Sequence, residues 1–181
     1  MYKKYLLIAI SCLLGCHIAL PARIKIGQKA PQFTLIADTG EKIDLNALAG
    51  KKVALCFYPE LNDEGKQSSP FCKLQLKRLG DEAGFSRLKK ENIVAFGINT
   101  DSIEQHLKFK KEYALPIPLL TCNKSILKAY DVKQWFGSAW MGRKTKRITV
   151  LIDEKGFVVD IIPEVALARH AQQILEGFVI V

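Results

Sequence analysis

Two long apolar runs separated by an amphipathic stretch predict two strands joined by a helix. The first run, Lys52–Tyr58, contains six consecutive apolar residues and ends at Pro59, as expected of an interior strand covered on both faces. The second run, Asn92–Asn99, has the same character. The stretch between them has a helical spacing, with a break expected near Gly80 or Gly84. Its apolar positions are Leu74, Leu76, Leu79, Phe85 and Leu88.

Shorter elements surround these two strands. A turn separates the short strands Gln32–Ile36 and Lys42–Leu45, and a helix that Ser102 caps stops at Pro116. The later elements are a strand at Ile117–Leu120, a helix at Ser125–Tyr130, hairpin strands at Arg147–Ile152 and Phe157–Ile162, and a helix at Ala166–Phe178. This order predicts an α/β chain with a thioredoxin-like fold, in which helices flank a mixed central sheet.

Cys72 is the strongest candidate for a reactive residue, because it falls in the first turn of the helix that follows the first apolar strand. Ser69 has the character of an N-cap and Pro70 that of the first helical residue, so Cys72 stands third in the helix. Unpaired backbone N–H groups and the helix dipole favour a thiolate there, which is a nucleophile at neutral pH. The alternative is a small, half-buried apolar residue.

The predicted topology also brings an arginine toward this cysteine. One hairpin strand runs against the parallel strands, so it begins at the sheet edge where they end. Arg147 opens that strand and is expected beside the loop and helix terminus that carry Cys72. Nearby Arg143 is a rival that the pattern does not separate from Arg147.

The first residues have the features of an export signal. A basic start with Lys3 and Lys4 precedes an uncharged run of ten residues, Leu6 to Gly15, too short to span a bilayer permanently. The Leu-Leu-Gly-Cys ending resembles a bacterial lipoprotein cleavage site, with Cys16 as the lipidated residue. Cleavage after Ala22 would also fit, and so would a short core segment.

These features predict three parts of the chain: a signal peptide or lipoprotein leader at 1–15, a linker at 16–23, and one domain at 24–181. The expected location is the cell envelope or periplasm, with a lipid anchor as the only tie to a membrane. Without the leader the chain keeps 25 basic and 18 acidic residues. The basic residues are scattered and lack interleaved aromatic residues, so we expect no nucleic-acid partner.

The cysteines and histidines exclude other kinds of site. Five cysteines without Cys-x-x-Cys spacing argue against a disulfide scaffold and against a disulfide oxidoreductase. The three histidines show no ligand spacing, so no metal is expected. No cofactor is expected either. His106 is predicted on an exposed helix face, and Cys56 as buried filler in its strand.

The chain resembles the peroxiredoxins of the AhpC/TSA type, in the bacterioferritin comigratory protein or PrxQ branch. The resemblance extends over about residues 24 to 178. Its matching pieces are Gly27–Phe33, Phe57–Pro59, Ser69–Cys72, Phe96–Asn99, Pro118–Leu120, Lys128–Tyr130, Trp140–Gly142 and Arg147–Asp153. Their order and spacing carry the resemblance, which implies a thiol-dependent peroxidase acting on hydrogen peroxide or organic hydroperoxides.

The resemblance also implies roles for individual residues. Cys72 matches the cysteine that attacks the peroxide, Ser69 the hydroxyl residue that binds it, and Arg147 the arginine that polarises the O–O bond, while Pro59 shields the pocket. The family pattern places three residues between the proline and the hydroxyl residue, whereas nine stand here. An ungapped match instead places Asp63 and Lys66 at the hydroxyl and cysteine positions, and implies an inactive envelope binding module.

Regeneration of the cysteine is the last implied step. In many relatives of this branch a resolving cysteine follows five residues later, where this chain has Lys77. Because the usual resolving cysteine is missing, the resemblance favours a one-cysteine mechanism with thioredoxin or a small thiol as reductant. The alternative is a disulfide between Cys72 and Cys122, which is the remaining internal candidate. The protein is expected to be a monomer or a dimer.

Overall fold

Seven strands form one mixed sheet within residues 24–60, 70–79, 82–133 and 145–179, which are the residues that the computed structural model describes. The strands are β1 (Thr34–Ala37), β2 (Lys42–Asp44), β3 (Lys52–Phe57), β4 (Ile93–Asn99), β5 (Leu119–Thr121), β6 (Ile148–Ile152) and β7 (Val158–Ile162). Their order across the sheet is β2-β1-β5-β4-β3-β6-β7. The contiguous strands β3, β4 and β5 are parallel, and every other neighbouring pair is antiparallel.

Helices cover both faces of this sheet. They are α1 (Pro70–Leu79), α2 (Glu82–Lys90), α3 (Ile103–Tyr113), α4 (Lys124–Ala129) and α5 (His170–Val179), with a short 3₁₀ helix at Asn46–Leu48. In the described ranges no helix is long and apolar enough to cross a bilayer. The mixed sheet flanked by helices that the sequence predicts is therefore confirmed.

Strand β3 separates two hydrophobic clusters because its side chains alternate between the two faces of the sheet. Val53, Leu55 and Phe57 pack in the cluster that includes Leu127 of α4. Residues at the alternate positions, Cys56 among them, pack in the cluster that α1, α2, α3 and α5 complete. Burial on both faces explains why this strand is almost continuously apolar.

The orientation of α3 differs from the sequence prediction. His106 is buried with Phe109, while the apolar Leu107 is 49% exposed. The ring of His106 turns inward because its Nε2 lies 2.7 Å from Oδ1 of Asn99, the last residue of β4. The prediction of an exposed His106 is therefore wrong, since a buried polar partner repays the cost of burying the imidazole.

Smaller differences concern element boundaries. Strand β1 is Thr34–Ala37 rather than Gln32–Ile36, and α5 begins at His170 rather than Ala166. The backbone N–H of Ala166 donates to Oε1 of Gln173 at 2.7 Å, so the residues before α5 form a turn held by a side chain of the helix. Arg147 directly precedes β6 instead of being its first residue.

Candidate active site

The carboxyl ends of the three parallel strands and the beginning of β6 lie at the same edge of the sheet. In the antiparallel pairing of β3 with β6, Phe57 lies opposite Ile148. Pro59 follows Phe57 by two residues and is buried, and Arg147 directly precedes Ile148. The two predicted site residues therefore lie at the same edge because of the register between these strands.

Helix α1 starts near this edge and carries Cys72 as its third residue. The helix begins at Pro70, as the sequence predicts, and Leu76 and Leu79 anchor it on the sheet in the same cluster as Cys56. The first backbone N–H groups of a helix have no partner inside the helix and stabilise negative charge nearby. The backbone at Cys72 is therefore suited to a thiolate.

Arg147 reaches α1 through Gln75. Its Nη1 donates a hydrogen bond to Oε1 of Gln75, whose side chain is fully buried. Gln75 follows Cys72 by three residues, and residues three apart share a face of an α-helix. Arg147 is thus held against the helix face to which Cys72 belongs. Nε2 of Gln75 has no hydrogen-bond partner among the described residues.

Gln75 is a site residue that the sequence interpretation missed. The signal was available, because an amide side chain one turn after the candidate nucleophile falls on the same helix face. The sequence analysis made no prediction for this glutamine. Its partner Arg147 is far away in the sequence, so the helical pattern does not reveal the contact.

Three neutral side chains, those of Thr149, His170 and Cys56, lie close together near the start of β6. Oγ1 of Thr149 lies 2.8 Å from Nε2 of His170, the first residue of α5. The pKa of His170 is lowered to about 3, mainly by burial and to a smaller extent by the positive charge of Arg147. Burial raises the pKa of Cys56 to about 12, against a hydrogen bond with Thr149 that lowers it. At neutral pH neither group carries charge, and Cys56 is the buried residue that the sequence predicts.

Cys122 lies close to the same edge but is also held as a neutral thiol. It follows β5, is buried, and its backbone N–H donates to the carbonyl of Asn99 at 2.8 Å. Burial raises its pKa to about 12, and the negative charges of Glu60 and then Asp101 act in the same direction. Its side chain packs in the cluster on the face of the sheet opposite α1.

Several predicted site features lie outside the described residues. They are Cys16, the two residues of the ungapped match, Ser69, Arg143 and the side chain of Cys72. In the part of the chain that the structure does describe, no three His, Cys, Asp or Glu side chains are grouped so as to hold a metal ion. The predicted site features that the structure describes at this edge are the guanidinium of Arg147, the buried Pro59 and the backbone at the start of α1.

The chain is similar in sequence to known peroxiredoxins over most of its length. A sequence model of the AhpC/TSA family matches residues 26–161. A Coxiella burnetii protein named as a bcp peroxiredoxin is 37% identical over 156 residues, which cover 84% of this chain and 97% of the relative. The peroxiredoxin Bcp of Bacillus subtilis is 34% identical over 158 residues, which cover 84% and 94% of the two chains.

Among solved structures, the peroxidoxin BcpB of Mycobacterium tuberculosis superposes with a TM-score of 0.72 at 25% identity, over 88% of this chain and 99% of the other. The PrxQ Cys-to-Ser mutant of Xylella fastidiosa superposes with a TM-score of 0.74 at 20% identity, over 88% and 98% of the two chains. Both similarities extend over nearly the whole of the other structure. They confirm the thioredoxin-like fold that the order of elements predicts.

Replacing His106 and His170 with Gln should reduce the loss of stability in mild acid. In the folded protein burial lowers the pKa of these histidines to about 4 and about 3, whereas in the unfolded chain each titrates near its usual value of about 6.5. The unfolded chain therefore binds more protons as the pH falls below about 6.5. Each wild-type histidine should lower the free energy of unfolding by about 2 kcal/mol between pH 8 and about pH 5.

Urea unfolding at both pH values measures this difference. Ser86→His on the exposed face of α2 is the control, because an exposed histidine titrates alike in both states and should leave the pH dependence unchanged. Equal pH dependence in the wild type and in the double variant would contradict the assignment of two neutral buried histidines.

Proposed function

The chain belongs to the AhpC/TSA family, in the Bcp and PrxQ branch of the peroxiredoxins, and from this premise we propose which of its residues reduce peroxide and how. The predicted family and enzyme class are confirmed by these matches. The protein is a thiol-dependent peroxidase that reduces hydrogen peroxide or organic hydroperoxides through a cysteine sulfenic acid. The observation that supports the residue assignment is the hydrogen bond from Arg147 to Gln75.

Cys72 is the proposed nucleophile. Its thiolate attacks one peroxide oxygen, so an S–O bond forms as the O–O bond breaks. The leaving oxygen takes the bonding electron pair and a proton, and departs as water or an alcohol. The sulfur is left as a sulfenic acid. The start of α1 at Pro70 supports this role, because the backbone there favours the thiolate over the thiol.

Arg147 is the proposed electrostatic partner. Its guanidinium would hold the Cys72 thiolate and stabilise the negative charge that develops on the leaving oxygen. Gln75 accepts a hydrogen bond from Nη1 of this guanidinium and so holds it against α1. Ser69 would donate a hydrogen bond to the peroxide, and the buried Pro59 would keep water from the pocket.

Regeneration by an external thiol is the proposed second half of the reaction. A thiolate of thioredoxin or of a small thiol attacks the sulfenic sulfur, hydroxide leaves as water, and a second thiol then releases Cys72 from the mixed disulfide. Two features support a one-cysteine mechanism. Lys77 is exposed on α1 at the position of the usual resolving cysteine, and Cys122 is buried on the other face of the sheet as a neutral thiol.

Export is a separate proposal that rests on the leader sequence, and the start of the domain bears only on how a tethered domain would face. The backbone N–H of Gly27 donates to the carbonyl of Val158 at 2.7 Å, and that of Ala30 to Gly156 at 3.0 Å. These residues lie at the β6–β7 turn, at the sheet end opposite Pro59 and Arg147. A tether through residues 16–23 would therefore leave the catalytic edge facing away from the membrane.

Cys72→Ser should abolish peroxide consumption, because serine cannot form the sulfenic acid. Cys122→Ser is the matched control and should keep turnover with a small thiol or thioredoxin, since its thiol is buried and protonated. Stoichiometric titration with hydrogen peroxide, followed by trapping of the sulfenic acid, measures both variants. Full activity in Cys72→Ser would refute the nucleophile, and loss of turnover in Cys122→Ser would refute the one-cysteine mechanism.

Arg147→Met should raise the pKa of the Cys72 thiol and slow peroxide attack by roughly 100-fold, as loss of a charge-stabilising donor does in other active sites. The fold should persist, because Arg147 precedes β6 and is only half-buried. Arg143→Met should have the smaller effect. Thiolate absorbance against pH and single-turnover kinetics measure both. The reverse order of the two effects would show that the wrong arginine was chosen.

The native amino terminus should be a diacylated Cys16. Mass spectrometry of protein taken from the membrane fraction measures the modification directly. An unmodified terminus near Arg23 would contradict lipidation and leave an exported enzyme without an anchor. An intact Met1 would contradict export.

A further inference from the structure

Glu60 is a buried carboxylate beside the proposed active site. It directly follows Pro59 and is only 5% exposed. Its Oε1 accepts hydrogen bonds from Oγ1 of Thr145 at 2.6 Å and from Oγ1 of Thr100 at 3.0 Å. Its Oε2 accepts from the backbone N–H of Thr145 at 3.1 Å. One side chain therefore connects the end of β3, the end of β4 and the segment that leads into β6.

The contact with Thr145 is the specific part of this cluster. Thr145 is fully buried, and both its backbone N–H and its hydroxyl donate to the same carboxylate. Two donors from one residue to the two oxygens of one carboxylate define an orientation as well as a distance. Thr145 precedes Arg147 by two residues, so the position of the arginine backbone depends on this contact.

The chain is also held on either side of Arg147. The backbone N–H of Lys146 donates to the carbonyl of Val132 at 2.8 Å, and Ile148 pairs with Phe57 in the sheet. The side chain of Arg147 then extends to Gln75 on α1. The carboxylate of Glu60 is thus one of a small set of contacts that determine where the guanidinium lies relative to Pro59 and α1.

We propose that Glu60 is a positioning residue for peroxide reduction, which acts by holding Thr145 and thereby the guanidinium of Arg147 at the catalytic edge. This inference rests on the proposed role of Arg147. Glu60 does not contact the peroxide in this proposal. Small displacements of a group that stabilises charge in a transition state reduce the rate strongly, so a contact two residues away matters for chemistry.

Thr145→Val and Thr100→Val form a matched pair that tests the proposal in the full chain. Each replaces a hydroxyl with a methyl group of similar size and removes one hydrogen bond to Oε1 of Glu60, but only Thr145 leads to Arg147. Thr145→Val should lower the rate of Cys72 oxidation by hydrogen peroxide about tenfold and raise the pKa of the Cys72 thiol. Thr100→Val should change that rate less than about twofold.

Thr145→Ser supplies a rescue that a purely structural role would not produce. Serine keeps the hydroxyl but lacks the methyl group, so it should recover most of the rate even where its stability in urea is lower than that of Thr145→Val. Glu60→Gln is the second variant, because an amide has one acceptor oxygen where the carboxylate has two, so the backbone N–H and the hydroxyl of Thr145 can no longer donate to separate oxygens. It should also slow the reaction.

The possible results distinguish the positioning role of Glu60 from the proposed peroxidase function. Cys72-dependent peroxide reduction that Thr145→Val and Glu60→Gln leave unchanged would overturn the positioning role and leave the proposed function intact. Equal slowing by Thr145→Val and Thr100→Val would overturn it as well, since only Thr145 lies within two residues of Arg147. No Cys72-dependent reduction by the wild-type chain would overturn the proposed function and this inference together.

Discussion

The antiparallel register between β3 and β6 is the constraint on which the catalytic edge depends. Because Phe57 lies opposite Ile148, the chain leaving β3 and the chain entering β6 meet at one edge of the sheet. A shift of one residue would send every side chain of β6 to the other face and move Arg147 away from α1.

The surroundings of the edge restrict which thiol can react. Cys56 and Cys122 are both buried, and burial raises the pKa of each to about 12. Because burial keeps His170 neutral, it adds no second positive charge near Arg147. A thiolate at the start of α1 would meet the guanidinium of Arg147, which donates a hydrogen bond to the neutral amide of Gln75.

The local patterns of the sequence were sufficient for the outline of the fold. The continuous apolar run that became β3, the break between α1 and α2, the start of α1 at Pro70 and the late hairpin all follow from rules that act over a few residues. The order of these elements then left few arrangements of the sheet. For the same reason Cys72 and Arg147 could be selected as candidates, since each depends on its place in one element.

The sequence by itself determined the elements, their order and the position of Cys72 in the first turn of a helix, because hydrophobic periodicity and helix-start chemistry are local. Only the tertiary structure decided the partners of the buried polar groups. Gln75, Glu60 and the inward-facing His106 all have polar character typical of exposed positions, and each is buried where a residue outside its own element supplies its hydrogen bond. Such pairings depend on the meeting of separate elements, which no local pattern specifies.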